Sequence, residues 1–398
     1  INLDDYDGHE PLLSTGAYAT LGTTPKVEAF QKHGSIPLPD FLNYFLIRRY
    51  ESPKYATYMD RLNRIDKASE WLEDALDLSN TINWLPGCKG EQEGVGEAVS
   101  LSVASALFGL TAADWLTIPE QKGVNAHPTF DFERTLVGIT AQNAVVQIEA
   151  KGSFVLDNTS KQSAVKAHAR NIAKKKTKIG SIGPAYKHPA TAMYGMIAAI
   201  DPTHEAKCWL LDPPADLLEG NPRDIKIATR LEYVASIVSM LAPRAKLPLA
   251  LKERAALWRE GATSKQVESL EGYPFTSANY VEAYLAKSKI WMKERDIVGQ
   301  FYVGESGRIF FLGLRGDLVR AAIKQDPEAI IEAHYLPGVE HAEFTAAPLR
   351  LDRWKKGEPR TEFMAFYTAS SGVVIGLAAS EQALFNRALN TRIQHPIA

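Results

Sequence analysis

The chain has 398 residues, more than a single hydrophobic core usually serves, so two or three domains are expected. Its 45% hydrophobic and 23% charged residues are the composition of a soluble globular protein, and no run approaches the roughly 20 apolar residues that span a bilayer. The formal net charge of −2 neither requires nor forbids nucleic acid. The two cysteines, Cys88 and Cys208, lack CxxC-type spacing and argue against a disulfide framework or a cysteine-based zinc site. That cysteine usage fits a reducing, cytoplasmic setting, and the acidic opening Ile1–Asp5 lacks the basic-then-apolar pattern of a signal peptide.

In chain order, residues 1–88 read as a mainly helical region. Pro37-Leu38-Pro39-Asp40 is a turn that starts a helix through Phe41–Ile47. Trp71, Leu72, Ala75 and Leu76 fall on one side of a second helix over Ala68–Leu78. Pro86-Gly87 breaks the chain. Residues 97–110 read as a largely buried helix, and Trp115–Ile118 as a short strand. Two alternating segments follow, Thr129–Ile139 and Ala144–Phe154, joined by a hairpin turn at Thr140–Asn143. A basic helix is expected over Lys161–Lys178, then strands over Thr191–Ile200 and Lys207–Leu211, then helices near 223–241 and 248–260. The polar stretch Gly261–Phe275 marks a soft boundary. The remainder reads as α+β, with hairpin turns at Gly304–Gly307 and Ala369–Ser371. Domain limits of 1–88, 89–262 and 263–398 follow.

The chemistry concentrates in the first hairpin. Alternation puts Asp131 and Glu133 on one face of the first strand, and Glu149 and Lys151 on one face of the second. A hairpin centred near Ala141 sets Glu149 across from Glu133 and Lys151 across from Asp131, so all four project together. Carboxylates in such a cluster suit Mg²⁺, which takes oxygen ligands and keeps waters and substrate phosphate. A lysine beside them suits charge building on a phosphate. The plainer alternative is a half-solvated hairpin whose cross-strand pairs add about 0.2–1 kcal/mol each.

The basic helix is the second signal. Lys161, Lys166, Arg170, Lys174, Lys175, Lys176 and Lys178 crowd one stretch, with Gln162 and His168 as polar donors. Such a face neutralises phosphates without regard to base sequence. The plainer alternative is a solvated helix with a lysine-rich last turn that complements the helix dipole.

Asp131, followed by Glu149-x-Lys151 on the next strand, resembles the PD-(D/E)xK nuclease superfamily. The proline is displaced to Pro128, three residues before Asp131. The resemblance covers about residues 90–215 and implies an α/β (α+β) fold. Its restriction-endonuclease-like core would have a mixed central sheet flanked by helices, with the helical N-terminal region and an α+β C-terminal region beside it. It also implies Asp131, Glu149 and Lys151 as catalytic residues, and a Mg²⁺ site (or Mn²⁺) formed by Asp131, Glu149, the Ala150 carbonyl and Glu97 from the preceding helix. Glu93 is the rival to Glu97, and Glu133 an additional acid. Lys161, Gln162, Lys166, Arg170, Lys174 and Lys175 become nucleic-acid contacts. The expected activity is metal-dependent hydrolysis of DNA phosphodiesters, with DNA favoured over RNA, in a restriction or antiviral defence setting. The chain is expected to act without a membrane, as a homo-oligomer or as a subunit of a complex. The rival reading is a nucleic-acid-binding or assembly subunit that keeps the fold without the chemistry.

Other signatures are absent or weak. No GxxxxGK[ST] loop appears, and Gly304-Glu305-Ser306-Gly307-Arg308 is not a GxSxG elbow. His334, Glu340, His341 and Glu343 lack HExxH spacing and read as a surface loop.

Overall fold

A computed structural model describes residues 1–6, 24–51, 57–75, 92–118, 127–129, 132–136, 144–183, 186, 188, 192–201, 204–211, 222–243, 245–262, 266–271, 296–353 and 355–378. The architecture is mixed α/β, with two mixed sheets and helices packed on them.

The first sheet has six strands: β1 (Asn2–Asp5), β2 (Trp115–Thr117), β3 (Phe132–Leu136), β4 (Ala144–Phe154), β5 (Ala192–Ile200) and β6 (Lys207–Leu211). Their order is β1-β6-β5-β4-β3-β2. β2, β3 and β4 form an antiparallel meander, β5 lies parallel to β4, and β6 runs antiparallel to β5. A parallel neighbour needs a crossover, and helix α5 (Ser163–Ile182) supplies it between β4 and β5. The N-terminal strand β1 was not expected. It pairs parallel to β6 and draws the first residues into this sheet.

Helices α1 (Thr24–His33), α2 (Leu38–Leu42) and α3 (Tyr58–Ala75) precede α4 (Gln92–Phe108). In α3, Leu62, Ile65, Ala68 and Leu72 bury one face at helical spacing. α4 covers one side of β4. The two backbones meet at Gly96 and Gly152, where a Cβ on Gly96 would stand 2.2 Å from the Gly152 Cα. Only glycine at both positions permits that approach. α5 covers the other side. Val165, Ala169, Ile172 and Ile179 pack with Met193, Ile197, Ala199 and Trp209 in a separate cluster. Gly195 makes room for Ile172 there, since a Cβ would meet its side chain at 2.8 Å.

Helix α6 (Pro222–Leu241) is buried over most of its circumference, as befits a helix between layers, and α7 (Leu247–Arg259) packs against it. The second sheet comprises β7 (Ile297–Val303), β8 (Ile309–Arg315), β9 (Gly338–Ala346), β10 (Leu349–Arg350), β11 (Lys355–Lys356), β12 (Arg360–Thr368) and β13 (Val373–Ala378), in the order β11-β10-β7-β8-β13-β12-β9. Helices α8 (Gly316–Lys324) and α9 (Pro327–Glu332) follow β8. The expected turns are present: Gly307 and Gly372 adopt φ +83, a conformation that glycine enters freely.

Glu340, His341 and Glu343 belong to strand β9, which pairs with β12 along its whole length, and not to a loop. The His341 ring stacks on Phe363, with centroids 6.0 Å apart.

Both sheets contribute to one main hydrophobic cluster, which takes in Trp115 and Ile148 from the first and Leu312 and Val373 from the second. A buried ion pair crosses the same region. The Arg230 guanidinium on α6 grips Asp114 through Nε at 2.5 Å and Nη2 at 2.9 Å. Its Nη1 donates to the carbonyls of Ile330 and Ala333. Among the described residues, no helix is long and apolar enough to cross a membrane.

Candidate active site

Strand β4 carries the site, because its alternation separates two environments. Ile148 and Ala150 point into the main core. Gln147, Glu149, Lys151 and Ser153 occupy the opposite face, under α5. Along this row exposure rises towards the strand end. Gln147 is fully buried, and its amide is held by the Tyr186 hydroxyl at 2.8 Å and the His188 carbonyl at 3.2 Å. The Glu149 side chain is 4% exposed and that of Lys151 30%. Glu149 is therefore approached by solvent from the Lys151 side.

Helix α5 runs back over this row with two side chains on its inner face, His168 and Lys175. They lie seven positions apart, two turns of helix, and meet β4 in reverse order. Lys175 Nζ donates to both oxygens of Glu149 at 2.6 Å. Lys151 Nζ lies 2.9 Å from Glu149 Oε1. The His168 ring nitrogen Nε2 lies 3.0 Å from Ser153 Oγ. Burial, and then the positive charge of Lys151, hold the His168 pKa below its ordinary value, and Glu93 on α4 opposes them. A carboxylate, two ammonium groups and an imidazole biased towards neutrality thus share one face.

The other expected residues divide as follows. Glu133 lies on β3, and its backbone pairs with Gln147, not with Glu149. The hairpin is therefore centred one residue earlier than expected. A two-residue change of partner keeps the same faces together, so Glu133 and Glu149 remain diagonal neighbours. The turn expected between the two strands is Thr140–Asn143. That turn and Asp131 fall outside the described residues. Ala150 lies between Glu149 and Lys151 with its methyl in the core. Glu97 is half-buried on α4, next to the Gly96–Gly152 contact, and Glu93 is exposed one turn earlier. Among the described residues, no three His, Cys, Asp or Glu side chains stand together as a metal site.

The basic helix also separates by face. Lys166, Arg170, Lys174 and Lys178 are exposed and repeat every four residues, about 6 Å per step. Their side chains make no hydrogen bond or ion pair with another described residue. Lys175 turns inward to Glu149 and is not part of this row. Lys176 is buried and donates to the Met193 carbonyl at 2.6 Å. Lys161 precedes the helix, donates to the Tyr6 carbonyl, and sits 4.4 Å from the Tyr6 ring centre. Gln162 occupies the N-cap position and donates to Ser160 Oγ at 3.1 Å. A helical wheel drawn on the buried Val165, Ala169, Ile172 and Ile179 places Lys175 and Lys176 beside the apolar stripe. That signal was available in the sequence. The pairing of Lys175 with Glu149, 26 residues away, was not.

Compared with protein-family models, with curated proteins and with solved structures, the chain matches none.

Proposed function

We propose that this chain is a divalent-metal-dependent nuclease acting on DNA, with a PD-(D/E)xK-type centre at Glu149-Ala150-Lys151. One observation carries the reading. The helix that delivers Lys175 to the buried Glu149 carboxylate also presents to solvent a row of four cations that pair with no other described residue. Like charges four residues apart cost an isolated helix about 0.2–0.5 kcal/mol per pair, so an unrelieved row is better explained by an anionic partner than by folding. The element order supports the same reading. A helix (α4), a meander (β2, β3, β4), a second helix (α5) and a parallel strand (β5) follow the sequence order of the resembled superfamily.

Mg²⁺ favours one or two carboxylates completed by water and phosphate, and the buried Glu149 would supply one of them. Glu149 would hold the metal with Asp131, the Ala150 carbonyl and Glu97, the ion taking the place that Lys175 has on its oxygens. When bound, such an ion neutralises phosphoryl oxygens and lowers the pKa of a coordinated water. Lys151, at the open end of the row, would orient the attacking water and offset charge on the phosphate. Lys166, Arg170, Lys174 and Lys178 would hold the strand by its phosphates. The role would be a cytoplasmic restriction or defence one, played as a homo-oligomer or within a complex.

A second reading is favoured by one contact. Lys175 already occupies both oxygens of Glu149, as it would in a nucleic-acid-binding subunit that has lost the chemistry. Calorimetry with Mg²⁺ and Mn²⁺ separates the two: the nuclease requires binding that depends on Asp131 and Glu149, and the inert subunit shows none.

A further inference from the structure

We propose that the β10–β11 hairpin, at the edge of the second sheet, is a separate binding site for the phosphodiester backbone. This rests on the nucleic-acid reading above and extends it to a region outside the β4–α5 face.

A cavity of about 280 Å³ opens beside this hairpin and is lined by Arg350, Arg353, Lys356, Arg360, Gly357 and Glu358, among others. That volume lies just below the range of about 300–1,000 Å³ typical of pockets for drug-sized molecules, so it suits a phosphate with part of its sugar. Its wall is cationic in a chain of net charge −2. From residue 350 to residue 360 there are five Arg or Lys and two acids.

The acids do not simply cancel the cations. Asp352 takes Arg350 in a two-pronged contact, Nε to Oδ1 at 3.0 Å and Nη2 to Oδ2 at 2.9 Å. It also approaches Arg353 Nε at 3.3 Å. One carboxylate thus positions two guanidiniums. Arg353 keeps 72% of its side chain exposed. Across the cavity, Arg360 is steadied by the Gly307 carbonyl at 3.3 Å. Lys356 is exposed and pairs with no other described side chain. The hairpin is closed by Gly357 N–H donating to the Pro348 carbonyl at 2.8 Å.

Lysines on an edge strand commonly serve only to block edge-to-edge pairing. That would explain Lys355 and Lys356 on the two-residue β11. It does not explain guanidiniums oriented by a shared carboxylate around a cavity. Planar, forked donors held in place are what phosphate recognition uses.

The test is duplex-DNA binding followed by fluorescence anisotropy in EDTA, so that no cleavage intervenes, across a range of salt concentrations. The variants are Arg353→Ala/Lys356→Ala, the neighbouring Lys355→Ala, which does not line the cavity, and Lys166→Ala/Lys174→Ala on α5. The double hairpin variant should lose at least tenfold in affinity and flatten the salt dependence by about two, close to 0.9 for each phosphate no longer neutralised. Lys355→Ala should change the slope by less than about half a unit. The inference is overturned if the double hairpin variant matches wild type in affinity and slope. It is equally overturned if Lys355→Ala has the same effect as the double variant, since charge alone would then suffice. Loss of binding in the α5 variant with an unaltered hairpin variant would leave the β4–α5 reading standing and remove this one.

Discussion

Lys175 Nζ stands 2.6 Å from both carboxylate oxygens of Glu149, and so locks helix α5 onto the middle of β4. The contact is structural and chemical at once. It satisfies a carboxylate buried beneath a helix, and it puts an ammonium on the oxygens that the proposed metal would need.

Two consequences can be separated. Glu149→Ala leaves Lys151 and Lys175 facing each other without their anion. Removing one partner of a fully buried pair costs about 3–5 kcal/mol, and the partial exposure of both lysines lowers the expectation to about 2 kcal/mol. Urea unfolding measures it. Lys175→Met keeps the stem and should be milder. If Lys175 and the metal compete for one carboxylate, Lys175→Met should tighten Mn²⁺ binding several-fold in calorimetry. Weaker binding would mean that Lys175 helps to build the site instead.

The outer face of α5 makes the opposite prediction. Lys166→Ala/Lys174→Ala should leave the melting temperature unchanged or slightly raised, since like-charge neighbours are relieved. DNA affinity should fall and the salt slope should flatten by about two units. Lys176→Ala, one residue from Lys175 but buried on the Met193 carbonyl, should destabilise the fold by about 1–3 kcal/mol.

The contrast between those lysines shows what could be read in advance. Strands β4 and β6 and helix α6 follow from strong alternation or helical periodicity, and their expected limits agree with the observed ones within a residue. The shared face of Glu149 and Lys151 follows from the same period of two. Strand β9 was missed because Glu340, His341 and Glu343 interrupt its apolar pattern at the outer edge of a sheet, where strand pairing rather than burial sustains it. The hairpin is centred one residue from the expected position, since alternation fixes which face a side chain takes but not which residue stands opposite it. The grip of Lys175 on Glu149 depends on how a helix docks across a strand, which no local pattern encodes.

The Gly96–Gly152 crossing should be intolerant of side chains. Gly152→Ala would set a Cβ 2.3 Å from the Gly96 Cα, against backbone that cannot rotate away. We expect a destabilisation of about 1–3 kcal/mol, measured by the urea midpoint.

Asp114 and Arg230 predict a dependence on acid. Burial opposes ionisation of Asp114, but Arg230 and Lys226 beside it, together with hydrogen bonds from Arg230 and the Thr111 amide, outweigh burial and hold its carboxyl well below the usual range. The folded state therefore binds this proton less readily than the unfolded chain. Its contribution is full above the ordinary carboxyl value of 3.8 and is lost as pH falls through the lower folded value. Asp114→Asn should cost about 3–5 kcal/mol at neutral pH. The gap between wild type and variant, measured by urea unfolding, should narrow below about pH 4. A gap that widened there would contradict the assignment.

The most direct measurement is cleavage by purified protein with Mg²⁺ or Mn²⁺ on duplex, single-stranded and modified DNA, comparing wild type with Lys151→Ala and Glu149→Gln. Wild type should cut at least one substrate, in a manner abolished by EDTA, and each variant should be slower by about a hundredfold or more while still binding DNA. Wild type inert on every substrate, or variants that cut as fast as wild type, would contradict a catalytic centre at Glu149 and Lys151.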